Sequence, residues 1–427
     1  MRFFGNSVKK AHARAIRADE EGNLEKAAQE WTKAIKLDSK YTYAYYKRAN
    51  VYYDLGENEK AFADFAKAIE LDPNYANAYN DLGYIYEDLD ENEKALESYN
   101  KAIEIDPMFT PAYNNRAELY RNLGENEKAL ADFDKAIELN PNSAVFYRNR
   151  AGIYYAMENY EKALIDCGKA IELDPNYANV YHMYGNIYSD LGKNEKAIEN
   201  YSKALEIKPL GVTYYSRALI YDDIGEYEAA IGDYDKALEL EPDNMHARIN
   251  RAINYYRIGE FKTALEFFDE IIKINPKLAE AHYNRACIYF VGRNYEAAIE
   301  SFDKAIELAP DYTDAYSNRG FTYYYMGEFY KALDDFDKTI EIDAAFVKAY
   351  NNRALVYTML EGYDKAAEDL TRAIELAPDY TDAYSNRANV YALLKDYNHA
   401  LADARKACEL GDCEMLKYLE EEGLSGN

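Results

Sequence analysis

Apolar side chains recur along this chain in a two-part pattern. Between Ala76 and Pro107, the residues Tyr79, Leu82, Gly83 and Tyr86 are spaced i, i+3, i+4 and i+7, which places them on one helical face. Asp90, Glu91 and Asn92 follow as a turn. Ala95, Tyr99 and Ala102 then mark the stripe of a second helix. Pro107 closes that helix because its ring cannot continue it. Gly83 and Ala95 are small enough to let the two helices approach closely. Tyr79, Tyr86 and Tyr99 are large enough to fill the space between layers. The pattern predicts a helix–turn–helix hairpin.

The hairpin repeats. Pro73, Pro107, Pro141, Pro175, Pro209, Pro242, Pro276, Pro310 and Pro378 follow a 34-residue grid, with a step of 33 after Pro209 and one of 68 where Ala344 stands in the missing place. Reading back from each proline gives twelve units, which begin at Val8, Thr42, Ala76, Thr110, Ala144, Ala178, Gly211, Met245, Ala279, Thr313, Val347 and Thr381. Ile306–Arg319 and Ile374–Arg387 are identical and 68 residues apart, which points to duplication of a two-unit block. A repeat of this length signals a solenoid, in which each unit buries its faces only against its neighbours.

These residues resemble the tetratricopeptide repeat family. Its pattern is a small residue at place 8, an aromatic at 11, Ala at 20, an aromatic at 24, Ala at 27 and Pro at 32. Nearly every unit from Val8 to about Glu414 meets most of these places. Cys167, Leu370 and Ala404 depart at place 24, Ser39 and Ala344 at the proline, and Ile271 and Thr339 at place 27. The resemblance implies an all-α chain: an α-solenoid, a right-handed superhelix of twelve helix–turn–helix units with a C-terminal capping helix. The expected division is an N-terminal extension over 1–7, the array over 8–414, and a capping helix and tail over 415–427. Leu416 and Leu419 share one side of that last helix, expected over Met415–Leu424. Phe3 and Phe4 either fold back on the first helix or dock on a neighbouring molecule. A local kink is expected at the shortened joint near Lys208–Gly211.

Composition removes several function classes. Most of the 46 tyrosines occupy packing places of the repeat, so their abundance is no sign of an aromatic active site. The 50 basic and 77 acidic residues leave a net charge of -27. Nucleic acid is therefore not an expected partner, because that binding is driven by Lys and Arg displacing counterions. No apolar run of ~18 residues exists, so no membrane insertion is expected. The cysteines Cys167, Cys287, Cys408 and Cys413 are too few for a disulfide framework and are expected as reduced thiols of a cytoplasmic protein. Cys408 and Cys413 read as packing residues. The five histidines lie in separate units and form no HExxH pair. No calcium loop, phosphate loop or nucleophile elbow is present. No catalytic residue, cofactor or metal is assigned, and the chain reads as a non-enzyme.

Two polar regularities remain. Arg stands at place 7 in ten units, and seven of those carry Asp at place 23. The two units lacking that Arg, with Leu82 and Tyr184, carry Ser98 and Asn200 in place of the Asp. This covariation predicts Arg–carboxylate bridges between the two helices of one unit, with Arg14 and Glu30 as the first pair.

The second regularity is Asn at place 6, in Asn115, Asn149, Asn250, Asn284, Asn318, Asn352 and Asn386. The family resemblance implies that places 2, 5, 6, 9, 12 and 13 of the first helices line a concave groove. There an amide can bond a peptide backbone in both directions. This is similar to the asparagine ladder of O-linked N-acetylglucosamine transferases. The other reading is that these amides bond neighbouring helices. In the unit from Ala76 the groove places hold Asn77, Asn80, Asp81, Tyr84, Glu87 and Asp88, which are polar and acidic. From the eighth unit they turn apolar. Ile249, Ile253, Tyr256, Tyr283, Phe290, Val291, Phe321, Tyr324, Tyr325, Leu355 and Met359 stand there. Large apolar patches are seldom left in water, so this stretch is the expected partner surface. The carboxylate clamp of the family's chaperone-binding branch needs Lys at place 5 and Arg at place 6, and no unit has either. The expected function is a non-catalytic scaffold that binds an extended peptide or partner helix. A self-associating scaffold and a substrate-selecting module of a separate enzyme stand as alternatives.

Overall fold

The computed structural model describes residues 6–423, and the readings of Phe3 and Phe4 fall outside them. The described residues fold into α-helices joined by short turns. The chain divides into two compact units, Met1–Pro209 and Leu210–Asn427, and the boundary falls at the shortened joint.

The first unit holds six hairpins: α1 (Asn6–Glu20) with α2 (Leu24–Leu37), α3 (Thr42–Asp54) with α4 (Asn58–Leu71), α5 (Ala76–Asp88) with α6 (Asn92–Ile105), α7 (Thr110–Asn122) with α8 (Asn126–Leu139), α9 (Ala144–Ala156) with α10 (Tyr160–Leu173), and α11 (Ala178–Asp190) with α12 (Asn194–Ile207). The second unit holds α13 (Gly211–Asp223) with α14 (Tyr227–Leu240), α15 (Met245–Arg257) with α16 (Phe261–Ile274), α17 (Ala279–Val291) with α18 (Tyr295–Leu308), α19 (Thr313–Tyr325) with α20 (Phe329–Ile342), α21 (Val347–Met359) with α22 (Tyr363–Leu376), and α23 (Thr381–Leu393) with α24 (Tyr397–Glu409). A short α25 (Glu414–Glu421) follows. From α3 to α23, every first helix starts where its repeat was expected to start; α1 begins at Asn6, ahead of Val8.

Within each unit the second helix of one hairpin packs on the first helix of the next. First helices also touch their successors, as α5 touches α7 and α19 touches α21. No comparable contact joins consecutive second helices among the described residues. The first helices are therefore the crowded, inner side of each stack. Within each unit, their outward faces share one surface.

Small residues set the helix separation. Ala49, Ala61 and Ala68 at places 8, 20 and 27 are all 0% exposed, with Phe65 inserted between them. Three hairpins have Tyr as the large partner; place 8 is Gly opposite Tyr99 and Tyr201, and Ala218 opposite Tyr234. A Cβ on Gly83 would lie 2.7 Å from the Tyr99 ring, and one on Gly185 would collide with Tyr201. Both hydroxyls reach through to the inner face, Tyr99 to Glu87 at 2.9 Å and Tyr201 to Asn186 at 2.7 Å.

All seven expected Arg–Asp bridges form. Arg353 shows the geometry: its Nε donates to Asp369 Oδ2 at 2.8 Å and its Nη2 to Oδ1 at 2.6 Å. A third bond was not anticipated. Arg353 Nη1 donates to Asp337, on the second helix of the preceding hairpin, at 2.5 Å. The same outer bond joins Arg48 to Thr32, Arg116 to Asn100, Arg150 to Asp134, Arg319 to Asp303 and Arg387 to Thr371. Arg251 and Arg285 also make the outer bond, to Asp235 and Asp269. At Arg251 the inner partner is the Phe267 ring, 4.0 Å from the guanidinium carbon. Arg48, Arg116, Arg150, Arg319, Arg353 and Arg387 thus stitch their own hairpins and fasten them to the ones before. The hydrogen bonds with Asp166 hold the Arg150 guanidinium above its ordinary pKa. The expected Arg14–Glu30 pair does not form: Arg14 is exposed, and Glu30 accepts from Lys33 at 2.5 Å instead.

Two hairpins lack the stitch on both sides. Leu82 has Ser98 and Ala66 where the acceptors would stand, and Tyr184 has Asn200 and Gly168. Tyr184 fills its place and donates to the Leu164 carbonyl at 3.0 Å. Leu82 does not fill its own. A depression of 890 Å³ opens there, lined by Tyr79, Leu82, Tyr86, Leu96 and Ser98 among others.

The reading of four reduced thiols is corrected. Cys408 and Cys413 form a disulfide, their Cα atoms 4.1 Å apart. Gly411, with φ +112°, makes the tight turn that brings the end of α24 back to the start of α25. Spacing along the sequence gave no sign of that turn. Cys167 and Cys287 are free, and burial pushes their thiols up to about 12 and about 11.

Three outcomes are expected. Gly185→Ala lowers thermal stability through the clash with Tyr201, at a cost of about 1–3 kcal/mol. Gly232→Ala in α14, where no atom lies within 4 Å of the new Cβ, raises stability by up to about 1 kcal/mol through helix propensity. Equal shifts in the two melting curves would refute this packing account. Arg353→Leu leaves Asp369 buried without its partner and costs about 1–3 kcal/mol in urea unfolding. Adding Asp369→Ser, to copy Leu82 and Ser98, recovers part of the loss; a double variant weaker than the single one argues against the stitch. Unfolded but unreduced protein titrates as two free thiols, and four would remove the disulfide.

Candidate peptide-binding surface

The inner faces of the two units differ in chemistry. In the first unit, polar side chains bond one another from helix to helix. Asn115 donates to Asn80 at 3.1 Å, and Asn149 donates to Asn114 at 3.2 Å and accepts from Arg148 at 3.0 Å. Tyr46 and Asn50 both donate to Asp81, at 2.7 Å and 3.1 Å. Asn122 donates to Glu87 at 3.3 Å, and Arg121 pairs with Glu118 at 2.7 Å. Burial pushes the carboxyls of Glu87 and Glu118 above the usual range. This face already holds its polar groups in place.

In the second unit the amides are more scattered. Asn318 donates to the Tyr283 hydroxyl at 2.9 Å, and Asn386 to Asn351 at 2.8 Å. Asn284 donates back to the Glu280 carbonyl of its own helix at 3.0 Å. Asn352 accepts from Asn351 at 3.3 Å, and Asn250 lies within reach of Tyr215. Asn115, Asn149, Asn318 and Asn386 each donate to a residue 35 positions earlier, on the preceding first helix, and Asn318 also reaches Cys287 Sγ at 3.8 Å.

The expected apolar residues separate into three groups. Ile253 and Tyr256 are half-buried against Ile249, Phe268 and Ile288 and extend the core. Tyr283 packs on Tyr312 at 4.9 Å between ring centres and on Phe302 at 5.9 Å. Phe290, Phe321, Tyr324 and Tyr325 converge into one aromatic cluster on α17 and α19. Phe321 meets Tyr325 edge to face at 5.0 Å, and Phe290 meets Tyr325 at 5.6 Å and Phe321 at 5.9 Å. Tyr324 stacks on Phe321 at 6.1 Å. Tyr295 of α18 and Phe329 of α20 join from the second helices, a contribution that a reading of first-helix places misses. Tyr325 keeps 54% of its surface exposed, and Val291 and Met359 keep 44% and 56%.

A cleft of 630 Å³ adjoins this cluster and shares Phe321 with it. Asn352, Leu355 and Asn386 line it from α21 and α23, and Met415 and Tyr418 line it from α25. The expected capping helix thus begins at Glu414, ends at Glu421 and forms a wall of this cleft as well. Its Leu419 is buried against Ala388, Leu401 and Ala404, with Leu416 partly buried beside it. Ser385 ties the preceding turn to the inner face by donating to Asp412 at 2.5 Å. The arrangement offers aromatic faces, an apolar wall and amides. Among the described residues, no group of three or more His, Cys, Asp or Glu is placed to hold a metal ion. No described helix is long and apolar enough to cross a membrane.

Family models described as tetratricopeptide repeat match residues 76–109, 110–143, 142–210, 212–244, 279–312, 313–346, 347–380 and 381–410. A further model, described as TPR repeat, matches 20–56 and 49–90. The chain belongs to the tetratricopeptide repeat family. Membership supports a protein-interaction scaffold, and the family is typically non-catalytic. No curated protein matches the chain. Among solved structures it is similar to YrrB, described as a TPR protein with an unusual peptide-binding site, at 30% identity over 43% of this chain and 95% of that one, with a TM-score of 0.40. It is similar to a tetratricopeptide repeat protein from Parabacteroides merdae at 22% identity, over 57% of this chain and 97% of that one, with a TM-score of 0.48. It is also similar to the Cut9–Hcn1 assembly of APC/C at 14% identity, over 91% and 96%, with a TM-score of 0.46.

Proposed function

We propose that the inner face of the second unit binds an extended segment or a helix of a protein partner, without catalysis. The observation that carries this reading is the convergence of Phe290, Phe321, Tyr324 and Tyr325 beside the cleft, with Tyr325 largely exposed. Aromatic side chains offer large contact area at low entropic cost, which suits them to anchoring a partner. The asparagines contribute to this reading through remaining amide capacity. One bond uses one of two N–H groups, and the carbonyl oxygen has two lone pairs. In this reading α25 serves as the terminal cap of the array.

Phe290→Ser with Tyr324→Ser is expected to weaken partner capture at least about tenfold while leaving the helical circular dichroism unchanged. Capture that survives both changes would refute the reading. Asn284→Ala with Asn318→Ala separates the amide contribution: a loss of affinity for extended peptides supports backbone recognition, and unchanged affinity removes it.

A further inference from the structure

The cleft beside the aromatic cluster has a charge pattern that the apolar reading leaves unused. Asp382, Asp412 and Glu414 are among its lining side chains, and no Lys, Arg or His is. Lys348 and Lys417 are near in sequence to lining residues but do not line it. Many carboxylates elsewhere in the chain have a cation beside them. At the stitched arginines, carboxylates are matched by guanidinium groups, as Asp369 is by Arg353 at 2.6 Å. Along the second helices, lysines pair with glutamates one turn away, as Lys304 does with Glu307 at 2.8 Å. Asp382 lines the cleft from α23, Asp412 from the turn before α25, and Glu414 from the start of α25. Asp412 accepts from Ser385 Oγ at 2.5 Å and from the Glu414 backbone N–H at 3.0 Å. These bonds hold its carboxyl below the usual range, with Ser385 the larger cause. Beside asparagines and Ser385, the lining around the charges holds apolar and aromatic side chains: Phe321, Leu355, Met415, and Tyr418 with 53% of its surface exposed.

Three carboxylates with no basic side chain in the lining give the cleft a negative potential, which attracts a cation entering from outside. An ammonium or guanidinium group there also meets tyrosine rings, whose faces attract cations. We propose that this cleft receives a Lys or Arg side chain flanked by an apolar side chain, both from an extended segment of the protein partner. The apolar residue lies toward Phe321 and Leu355, and the cation lies toward Asp382, Asp412 and Glu414. The proposal rests on the groove reading above and adds the chemistry of the occupant. Phe321 belongs to both cleft and cluster, so a segment that seats its cation here runs directly onto the aromatic rings.

The test uses the full chain and two labelled peptides of about twelve residues, identical except for a central Leu-Arg-Leu or Leu-Glu-Leu. Fluorescence anisotropy is expected to show the arginine peptide binding at least about tenfold tighter. Asp382→Asn with Glu414→Gln, both at exposed positions, is expected to erase the difference. Raising the salt concentration to about 0.5 M is expected to shrink it. Phe321→Ser with Leu355→Ser weakens both peptides. Equal or reversed affinities, with both peptides still sensitive to the Phe321 and Leu355 changes, overturn the cationic occupant and leave the groove reading standing. Binding of neither peptide, or binding indifferent to Phe321 and Leu355, overturns both.

Discussion

A hairpin of two short helices cannot cover its own apolar faces, and every other feature of this protein follows from that deficit. The remedy is close approach to a neighbour. Alanine or glycine at three places lets backbones come near, and one ring enters the gap between them. At two hairpins this ties residue choices across the helix pair, while Tyr234 is accommodated opposite Ala218. Tyr99 and Tyr201 each face a glycine, because a single methyl group would occupy the space their rings need. Those rings then carry a hydroxyl to the inner surface, so core packing and groove chemistry are set by one substitution.

Much of this architecture is legible in the sequence, and the illegible parts share a cause. Helix starts follow from the proline grid and the small-residue places, and the inner Arg–Asp bridges follow from residues that vary together within one unit. The outer bond of Arg353 was missed because Asp337 belongs to the preceding unit. Its signal was present as an acceptor sixteen residues before the arginine, mirroring the one sixteen residues after. Asn386 and Asn351 repeat the lesson at a separation of 35. Tyr295 and Phe329 were invisible for a related reason, since they enter the aromatic cluster from the second helices. The disulfide depends on a turn at Gly411 that no periodicity encodes.

The two inner faces show how one scaffold carries two chemistries. In the first unit, asparagine, tyrosine and carboxylate side chains occupy one another, which stiffens the surface and uses its hydrogen-bonding capacity. In the second, aromatic and aliphatic groups stand at equivalent places, and water is the only neighbour for much of Tyr325 and Met359. Binding energy is available where burial is incomplete, and the family's helix geometry leaves that choice to individual side chains.

The arginine stitch bears on how the molecule comes apart. In a linear stack, cooperativity extends only as far as coupling between adjacent repeats exceeds the entropy released by a break. Leu82 and Tyr184 each lack the guanidinium that fastens one hairpin to the preceding one, and both lie in the first unit. That unit therefore contains two weak couplings at which local opening can start or stop. The hairpins bearing the aromatic cluster, from Arg285 to Arg387, are each fastened to the one before by this outer bond, without interruption.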